Sequence, residues 1–567
     1  MNNKTLLKQL RLTLTLLELH EENAFKIRAY QSAIFAIEQA AEPLHTMSAE
    51  ALATLTGKSI SAKIQHLLQH GSLPDLDELL AKTPAGVIGM MKIKGLGPKK
   101  INALWREYQI TSTEQLLEAC QKNELSKFKG FGQKTQEAIL QAILFDLGNR
   151  GKMLYAEAFP LAEWLKKWLS ERAETKEISH VGQIRRCAEI VSEVAVLVAT
   201  ENILALQKSL NECDTLNADA VKSGVFVWRG HSPDYNDIAV SVHFCTPAAF
   251  AAQLVLLTGT AQHLAKPLPS NAAQTFMQWL RKQPAETNEA AYYEKAQLPY
   301  LPAEMREGHK EWDWATTHQA SELIEFQQLK GVLHNHSTYS DGQHTLAEMA
   351  SHAKSLGYEY LGISDHSKTA SYANGLSEER VFQQQTEIDA LNQTLAPFKI
   401  FKGIESDILG DGSLDYAPDI LATFDFVVAS VHSGLSMDEP KATARLLKAI
   451  ENPFTTMLGH PSGRLLLRRE GYPIDYQKII DACAANGVII ELNANPWRLD
   501  IDWRWLDYIM QKGVLVSINP DAHEKDGYQD MHYGVLVARK GGLTTDFTFN
   551  ALSLNEVAAH FRKKLGK

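Results

Sequence analysis

His334 and His336, two histidines with one residue between them, are the residues in this sequence most clearly suited to catalysis or metal binding. Alternate side chains of an extended strand project to one face, so both imidazoles point the same way. Asp341 follows shortly afterwards, and Gly342 beside it lets the chain turn sharply. A metal site needs imidazole and carboxylate groups delivered together from a strand end into a loop. Paired histidines also occur as structural residues, so the motif alone is only suggestive.

Residues of the same types recur at the ends of later apolar runs. From residue 331 onwards these runs alternate with helical stretches, which predicts seven strands of a parallel α/β fold. Reactive groups gather at the C-terminal strand ends of closed parallel barrels, so we expect these side chains to meet. The strand-end residues, in chain order, are His334, His336, Asp365, His366, Glu405, His432, His460, Glu491, Asn493, Asp521 and His523.

The donor types in this set favour Zn²⁺, Mn²⁺ or Fe over Mg²⁺, because imidazole is mixed with carboxylate. Such metals lower the pKa of water toward about 7 and so supply a nucleophile that attacks phosphorus. Asp365, beside His366, is expected to orient a ligand. Arg464, Arg468 and Arg469 are candidates for holding substrate phosphates, although arginines after a loop also form surface salt bridges. These residues predict a metal centre that activates water for hydrolysis, with phosphate esters among its possible substrates.

Glycine-containing turns occur at intervals in the N-terminal 150 residues. Residues 4–43 of this part are predicted to be helical. A Gly-x-Gly turn that opens a helix leaves backbone N–H groups free to hold a phosphate, and nearby lysines add charge. Gly-x-Gly turns are also common in loops that bind no ligand. Two good copies and a degraded one at residues 56–60 nevertheless predict DNA-backbone contacts. The candidate DNA-binding residues are Gly95, Gly97, Lys99, Lys100, Gly130, Gly132 and Lys134.

These turns resemble the helix-hairpin-helix elements of bacterial family X DNA polymerases. The first copy departs from the family pattern, because Leu55 and Ser59 stand where the family has glycines. The resemblance places Lys63 where related enzymes carry a lyase lysine, although a helix lysine is more often solvated surface.

Residues 181–198 and 236–240 resemble the nucleotidyltransferase signature of the same family. Two-metal polymerisation requires carboxylates that alternate on one strand face. Glu193 holds the first such position, but Ala195, which cannot bind a metal, holds the second. Gln183 replaces the serine expected to touch nucleotide phosphates, whereas Asp237 keeps the third carboxylate. The resemblance therefore implies a palm kept as a scaffold or DNA-binding surface, without polymerase activity. The vestigial site comprises Gly182, Arg185, Glu193 and Asp237.

Residues 331–567 resemble a PHP (polymerase and histidinol phosphatase) domain, most closely at 459–469 and 521–523. The resemblance implies a distorted (β/α)7 barrel with a trinuclear site for divalent manganese or zinc, or for iron. Asp365 and Arg464 are the candidate catalytic residues beside the metals. Carried over by motif, the implied ligands are His334, His336, Asp341, His366, Glu405, His432, His460, Asp521 and His523.

The predicted fold class is therefore multidomain α/β. Closely spaced prolines at residues 299 and 302 forbid a regular element and mark the best boundary. The predicted parts are a helical domain at 1–85, a fingers-like helix-hairpin-helix region at 86–150, a degenerate α+β polymerase palm and thumb-like region at 151–300, a linker at 301–330 and the PHP barrel at 331–567.

Composition is that of an ordinary globular protein, with 45% hydrophobic and 22% charged residues. The net charge of −10 is uneven, since residues 1–150 carry 18 Lys and Arg against 15 Asp and Glu and the remainder holds −13. Any nucleic-acid contact would favour the first part and a carboxylate-rich metal site the second. No apolar run long enough for a membrane span, no signal-peptide h-region and five cysteines without paired spacing predict a bacterial cytoplasmic location.

The sequence favours a DNA phosphoesterase with 3′–5′ exonuclease or 3′-end-trimming activity in DNA repair. Its expected partner is DNA, as single strands, gaps or 3′ ends, presented by the helix-hairpin-helix region. Two alternatives stay open: a small-molecule phosphatase with an N-terminal docking module, and a non-catalytic DNA-binding scaffold. The oligomeric state is not predicted.

Overall fold

The computed structural model describes residues 3–38, 44–93, 95–564 and 566. The chain divides into two compact units, Met1–Arg150 and Gly151–Lys567. The helices predicted at residues 4–43 are present as far as residue 38, and the rest of that prediction lies outside the described residues, as does Lys94 of the second glycine turn. Among the helices in the described ranges, none combines the length and apolar character needed to cross a bilayer.

The first unit is built from helices throughout its described residues. Leu10 and Leu17 of the first helix are fully buried, so the leucine stripe seen in the sequence faces the helical core. The helices are α1 Asn3–Leu19, α2 Ala24–Glu38, α3 Ala49–Thr56, α4 Lys58–His70, α5 Pro74–Lys82, α6 Ala85–Met90, α7 Pro98–Arg106, α8 Thr113–Gln121 and α9 Gln133–Asn149.

The second unit begins with a mixed region around a five-stranded sheet of order β2-β4-β7-β6-β5, in which β4 and β7 are parallel and the other pairs antiparallel. Its elements are β1 Met153–Leu154, α10 Tyr155–Ser170, β2 Glu177–Val181, α11 Gly182–Arg185, β3 Ile190–Val191, β4 Glu193–Ala199, α12 Ile203–Asn211, β5 Asn217–Ala218, β6 Val227–Ser232, β7 Ile238–Cys245, α13 Phe250–Thr258, α14 Ala261–Leu264, β8 Pro267–Leu268, β9 Asn271–Thr275, α15 Phe276–Leu280 and α16 Glu289–Lys295. Alternate residues of β4 pack on opposite faces, so Val196 and Leu197 join different hydrophobic clusters.

Residues 301–330, predicted to be a linker, contain the short helix α17 Glu311–Trp314 and several single 3-10 turns. Leu301, Met305, Trp314 and Leu323 are buried in the same hydrophobic cluster as the barrel helices. The segment is therefore a packed part of the second unit, because its apolar side chains cover the barrel.

The C-terminal region confirms the predicted barrel. Its strands are β10 Gly331–Val332, β11 Tyr360–Ile363, β12 Lys399–Asp407, β13 Phe426–Ser430, β14 Met457–Leu458, β15 Ile489–Asn493 and β16 Val516–Asn519. They form one parallel seven-stranded sheet in sequence order. A parallel bridge between Asn335 and Ala522 joins the segments that follow the first and last strands. This bridge closes the barrel at the strand ends that carry the candidate ligands.

Helices alternate with these strands and cover the barrel. They are α18 Leu346–Ser355, α19 Glu378–Leu395, α20 Pro418–Leu421, α21 Glu439–Ile450, α22 Tyr476–Asn486, α23 Leu506–Gln511, α24 Met531–Lys540 and α25 Leu554–Lys564. The strands are buried on both faces, which explains why they read as continuous apolar runs. The alternation places every strand's C-terminal end at one face of the barrel.

Candidate metal centre

Glu405, near the end of β12, lies at the middle of the candidate site. Its carboxylate oxygens are 3.3 Å from His334 Nε2, 2.9 Å from His366 Nδ1, 3.2 Å from His432 Nε2 and 2.9 Å from His460 Nε2. Four imidazoles from four other strand ends therefore converge on one carboxylate.

Two further carboxylates, Asp341 and Asp521, complete the site. His336 Nε2 lies 3.0 Å from Asp521 Oδ1, and Asp341 Oδ1 lies 3.6 Å from His366 Nε2 and 3.4 Å from His523 Nε2. The side chains of Asp341 and His523 are each 36% exposed, whereas Glu405 is buried. The site is therefore open to solvent on the side of Asp341 and His523.

The structure brings all nine predicted ligands together. Their donor atoms form overlapping groups in which every atom lies within 4.8 Å of the others. The groups are His336, Asp341, His366 and His523; His334, Glu405 and His460; His334, His336 and Asp521; and His366, Glu405 and His432. The barrel thus carries clusters of donors able to bind divalent metal ions.

Buried donor atoms test whether metals fit these clusters. His334 Nε2, His366 Nδ1 and Glu405 Oε2 are buried, and although His366 Nδ1 and Glu405 Oε2 lie 2.9 Å apart, none of the three makes a hydrogen bond of acceptable geometry among the described residues. Burying such atoms without a partner is costly, and a divalent cation supplies that partner to their lone pairs. The residues present therefore fit a metal centre.

Burial and the neighbouring charged groups shift the pKa values of several ligand side chains in the site. Burial lowers the pKa of His336 to about 3, and the adjacent imidazole of His523 adds to this effect. Burial disfavours the charged form of His432, yet the carboxylates of Glu405 and Asp407 outweigh it and raise the pKa of His432 to about 10. Nearby imidazoles, opposed by burial, hold the pKa of Glu405 well below its usual range. A metal ligand must be a neutral imidazole, so His336 is ready to bind, whereas a cation bound beside Glu405 would have to displace a proton from His432.

Two carboxylates orient ligand imidazoles through their other ring nitrogen. Asp407 Oδ1 lies 2.6 Å from His432 Nδ1, and Glu491 Oε1 lies 2.7 Å from His334 Nδ1. Such partners fix the ring orientation and raise ligand basicity. Glu491 was placed among the strand ends by the sequence, but Asp407 was missed. The available signal was its position two residues after Glu405, which puts both side chains on one strand face.

Asp365 makes different contacts from those predicted. Its carboxylate accepts hydrogen bonds from the backbone N–H and hydroxyl of Ser337, at 2.7 Å each, and from Gln384 Nε2 at 2.6 Å. It also accepts from the backbone N–H and hydroxyl of Ser340. These bonds hold the loop that carries Asp341. Among the described residues Asp365 has no hydrogen bond to a ligand imidazole, so it braces the ligand loop instead of orienting His366.

Arg464 does not face the site with free donors, contrary to the prediction that it binds phosphate. Its Nη1 donates to Asp502 Oδ2 at 2.6 Å, its Nε donates to the carbonyl of Arg498 at 2.8 Å, and its Nη2 donates to the carbonyl of Leu499. The sequence reasoning missed Arg498, whose Nε lies 3.3 Å from Asp521 Oδ2. Arg464 therefore fixes the loop that places the Arg498 guanidinium beside a ligand carboxylate.

The glycine turns of the first unit share one conformation. Gly95 and Gly130 have φ values of +89° and +88°, which only glycine adopts readily, and Gly97 and Gly132 cap helices α7 and α9. Leu96, between the first pair, is buried. The apolar middle residue anchors the turn, while Gly97 and Lys99 at the start of α7 are exposed. Of the predicted DNA-binding lysines, Lys99 and Lys134 are exposed and Lys100 is half-buried.

Lys63 is engaged within the helical unit. Its Nζ pairs with Asp75, which also accepts a 2.7 Å hydrogen bond from the hydroxyl of Tyr30. Burial works against the charge of Asp75, but these bonds from Lys63 and Tyr30 lower its pKa below the usual value. This ion pair engages the amine that a Schiff-base role would need free to attack a carbonyl.

Arg185 of the vestigial polymerase site is held by a carboxylate. Its Nη1 and Nη2 donate to the two oxygens of Glu289 at 2.8 and 2.5 Å, and Nη1 also donates to the hydroxyl of Thr258 at 2.8 Å. Gly182 begins α11 with a φ of +59°. The signature that would contact a nucleotide is thus used in internal packing.

The vestigial carboxylates do not form a metal group. Glu193 begins β4 and pairs in register with Ala239, and the buried Ala195 follows on the same face. Asp237 precedes β7, and its side chain is 73% exposed with His231 Nε2 at 4.0 Å. The donor clusters found among the described residues all lie in the C-terminal barrel.

Comparisons with known proteins agree with this architecture. Family models match residues 1–73 as a helix-hairpin-helix domain, residues 88–143 as a SAM-like helix-hairpin-helix tandem and residues 333–495 as a PHP domain. A probable phosphatase of Thermoanaerobacter pseudethanolicus is 25% identical over 252 residues, covering 42% of this chain and 98% of that protein. A probable phosphatase of Acetivibrio thermocellus is 31% identical over 169 residues, covering 28% and 63% of the two chains.

A bacterial relative matches from end to end. The DNA polymerase/3′-5′ exonuclease PolX of Bacillus subtilis is 34% identical over 577 residues, which cover 99% of this chain and 100% of that protein. This match spans both helix-hairpin-helix regions, the mixed sheet and the donor-lined barrel. The chain therefore belongs to the PolX family.

Proposed function

We propose that this chain is a metal-dependent phosphoesterase that removes nucleotides from DNA ends. The observation that carries the proposal is the convergence of nine imidazole and carboxylate donors at one face of the barrel. The Bacillus subtilis relative, which matches the full chain, bears 3′-5′ exonuclease in its name. That likeness supports attack at the 3′ end and a role in DNA repair.

The donor groups support a trinuclear centre of manganese or zinc, with iron as a further candidate. The groups overlap at Glu405, His334, His336 and His366, so the ions would lie close together, and the Glu405 carboxylate has two oxygens to offer them. Bound there, divalent metals would lower the pKa of water and offset negative charge on the phosphoryl oxygens. These groups contain no cysteine thiolate, so the preference of imidazole and carboxylate donors determines which ion binds.

The protein's own residues would orient the reaction. Asp365 fixes the ligand loop, and Asp407 and Glu491 fix the rings of His432 and His334. Arg498, beside Asp521, would contact a nonbridging phosphate oxygen as the DNA end enters from the open side. Positioning of this kind, set before the substrate arrives, is what lowers the barrier.

The glycine turns of the first unit would hold the DNA backbone through Gly95, Gly97, Lys99, Lys100, Gly130, Gly132 and Lys134. The palm would contribute surface without synthesis, since Ala195 removes a metal carboxylate and Arg185 is bound to Glu289. We also propose functional regions at 1–85, 86–150, 151–300 and 331–567, with residues 301–330 packed against the barrel. A cytoplasmic location is part of the same proposal, and free thiols at all five cysteines support it.

The purified protein is expected to shorten single-stranded oligonucleotides from the 3′ end when Mn²⁺ is supplied. His336→Ala and Asp341→Ala should each abolish hydrolysis and lower bound metal, because each removes a donor. Labelled oligonucleotides on denaturing gels and elemental analysis check both effects. A primed template in the same reactions should not be extended. Undiminished hydrolysis by both variants, or template-dependent extension, would contradict the assignment.

A small-molecule phosphatase is the second candidate, because probable phosphatases match the barrel alone. Comparing single-stranded DNA with small phosphate monoesters separates the two functions. Efficient hydrolysis of monoesters only would replace the proposed activity, and no metal-stimulated hydrolysis of either would favour a DNA-binding scaffold.

Arg498→Ala is expected to lower kcat/KM for DNA by about 10- to 150-fold, because a charge-assisted phosphate contact contributes about 1.5–3 kcal/mol. Arg498→Lys should recover part of the loss, since the charge remains but the fork is gone. Steady-state kinetics with metal content measured in parallel check this. Arg539→Ala, at a salt bridge with Glu304, is the matched control. Wild-type kinetics in Arg498→Ala would exclude the contact.

A further inference from the structure

Tyr372 is a large aromatic side chain left exposed beside the metal centre. It is 69% exposed, yet its ring centroid lies 6.2 Å from that of His366 and 6.5 Å from that of His432. It belongs to none of the hydrophobic clusters formed by the described residues. The ring therefore contributes little to the core and faces the approach to two ligand histidines.

The loop that carries Tyr372 is tied to the site at both ends. Before it, Thr369 donates its hydroxyl to Asp407 Oδ2 at 3.1 Å and its backbone N–H to Asp415 Oδ2 at 2.8 Å. After it, the backbone N–H of Leu376 donates to the carbonyl of His366 at 2.9 Å. The same Asp407 orients His432. The tyrosine is therefore placed by the residues that place the ligands.

A further tie fixes the short 3-10 turn Ser371–Ala373 that contains Tyr372. Asn374, with a φ of +55°, donates its side-chain amide to the carbonyls of Tyr339 and Ser340 at 3.3 and 3.2 Å. Arg380 Nη1 donates to the carbonyl of Asn374 at 2.9 Å. These bonds hold the turn against the loop of Asp341, so the backbone of Tyr372 is fixed beside the site.

We infer that Tyr372 stacks on the base of the terminal nucleotide while the phosphate of that nucleotide occupies the metal centre. The inference rests on the proposed function and deepens it by naming the substrate as a nucleotide end with its base. A rigid aromatic face binds any base, because every base has a π surface, and it gives no such contact to a sugar phosphate. Arg498 would hold the phosphate and Tyr372 the base.

The first test compares two single-stranded oligonucleotides, one ending in adenine and one ending in an abasic residue at the same 3′ position. The wild-type protein should prefer the adenine end by about 5- to 150-fold in kcat/KM, the range that base stacking on an aromatic ring supplies. Tyr372→Ala should bring this ratio close to one, mainly through KM, and Tyr372→Phe should keep it. Phe382→Ala, which removes another exposed ring from the barrel, is the control and should also keep the ratio.

The second test detects stacking without turnover. An oligonucleotide with 3′-terminal 2-aminopurine and a terminal phosphorothioate, which slows cleavage, is titrated with the full-length metal-loaded protein. Fluorescence quenching is expected with wild type and Tyr372→Phe and should be lost with Tyr372→Ala.

The outcomes separate the inference from the function. A ratio and quenching that survive in Tyr372→Ala overturn the inference, as does equal cleavage of both ends by wild type, and each leaves the exonuclease assignment standing. A wild-type protein that cleaves small monoesters but neither oligonucleotide overturns both.

Discussion

Glu405→Gln is expected to reduce DNA hydrolysis by about 10³-fold or more, which corresponds to about 4 kcal/mol of transition-state stabilisation. The reason is geometric, because the Glu405 carboxylate lies within 3.3 Å of nitrogens from four ligand histidines. Two of the donor groups contain it as their one carboxylate. The amide keeps the shape but removes the charge, so both groups should lose their metal.

Hydrolysis rates and elemental analysis of the same preparation measure this effect. Glu451→Gln, at an exposed position after α21 of the same barrel, is the matched control and should behave as wild type. Circular dichroism shows whether the barrel persists. A Glu405→Gln protein with full metal content and full activity would mean that the cluster is not the reaction centre.

Glu289→Ala is expected to lower the free energy of unfolding of the mixed region by about 3–5 kcal/mol, the cost of leaving buried charges without a partner. Glu289 accepts hydrogen bonds from two arginines. Nη1 and Nη2 of Arg185 both donate to it, and Nη1 of Arg306 donates to it at 2.7 Å. Arg306 is fully buried. Removing the shared carboxylate would therefore strand one buried and one half-buried cation.

Urea unfolding followed by tryptophan fluorescence should show that the mixed region of Glu289→Ala unfolds at a lower urea concentration than that of the wild type. Glu294→Gln lies on the same helix, α16, but is exposed, and it should shift the transition little. Unchanged unfolding of Glu289→Ala would show that Arg185 and Arg306 find other partners.

The alternation of strands and helices predicted the barrel and the meeting of its strand-end side chains at one face, whereas the choice of nine ligands, Asp341 included, was implied by the resemblance to PHP domains. Asp407 could also have been found, since it alternates with Glu405 on one strand. The role of Arg464 could not, because its partners Arg498, Leu499 and Asp502 lie more than 30 residues away along the chain. The position of the Tyr372 backbone depends on hydrogen bonds from three separate loops, which no local pattern records.

The bridge between Asn335 and Ala522 has a consequence for when the centre can exist. It lies between the first histidine pair and the last donor pair, so the seam of the barrel runs through the metal site. A chain that ends before Asp521 has seven of the nine donors, but neither the closing bridge nor a complete set of ligands. Closure of the barrel and completion of the donor set therefore depend on the same short segment, residues 521–523.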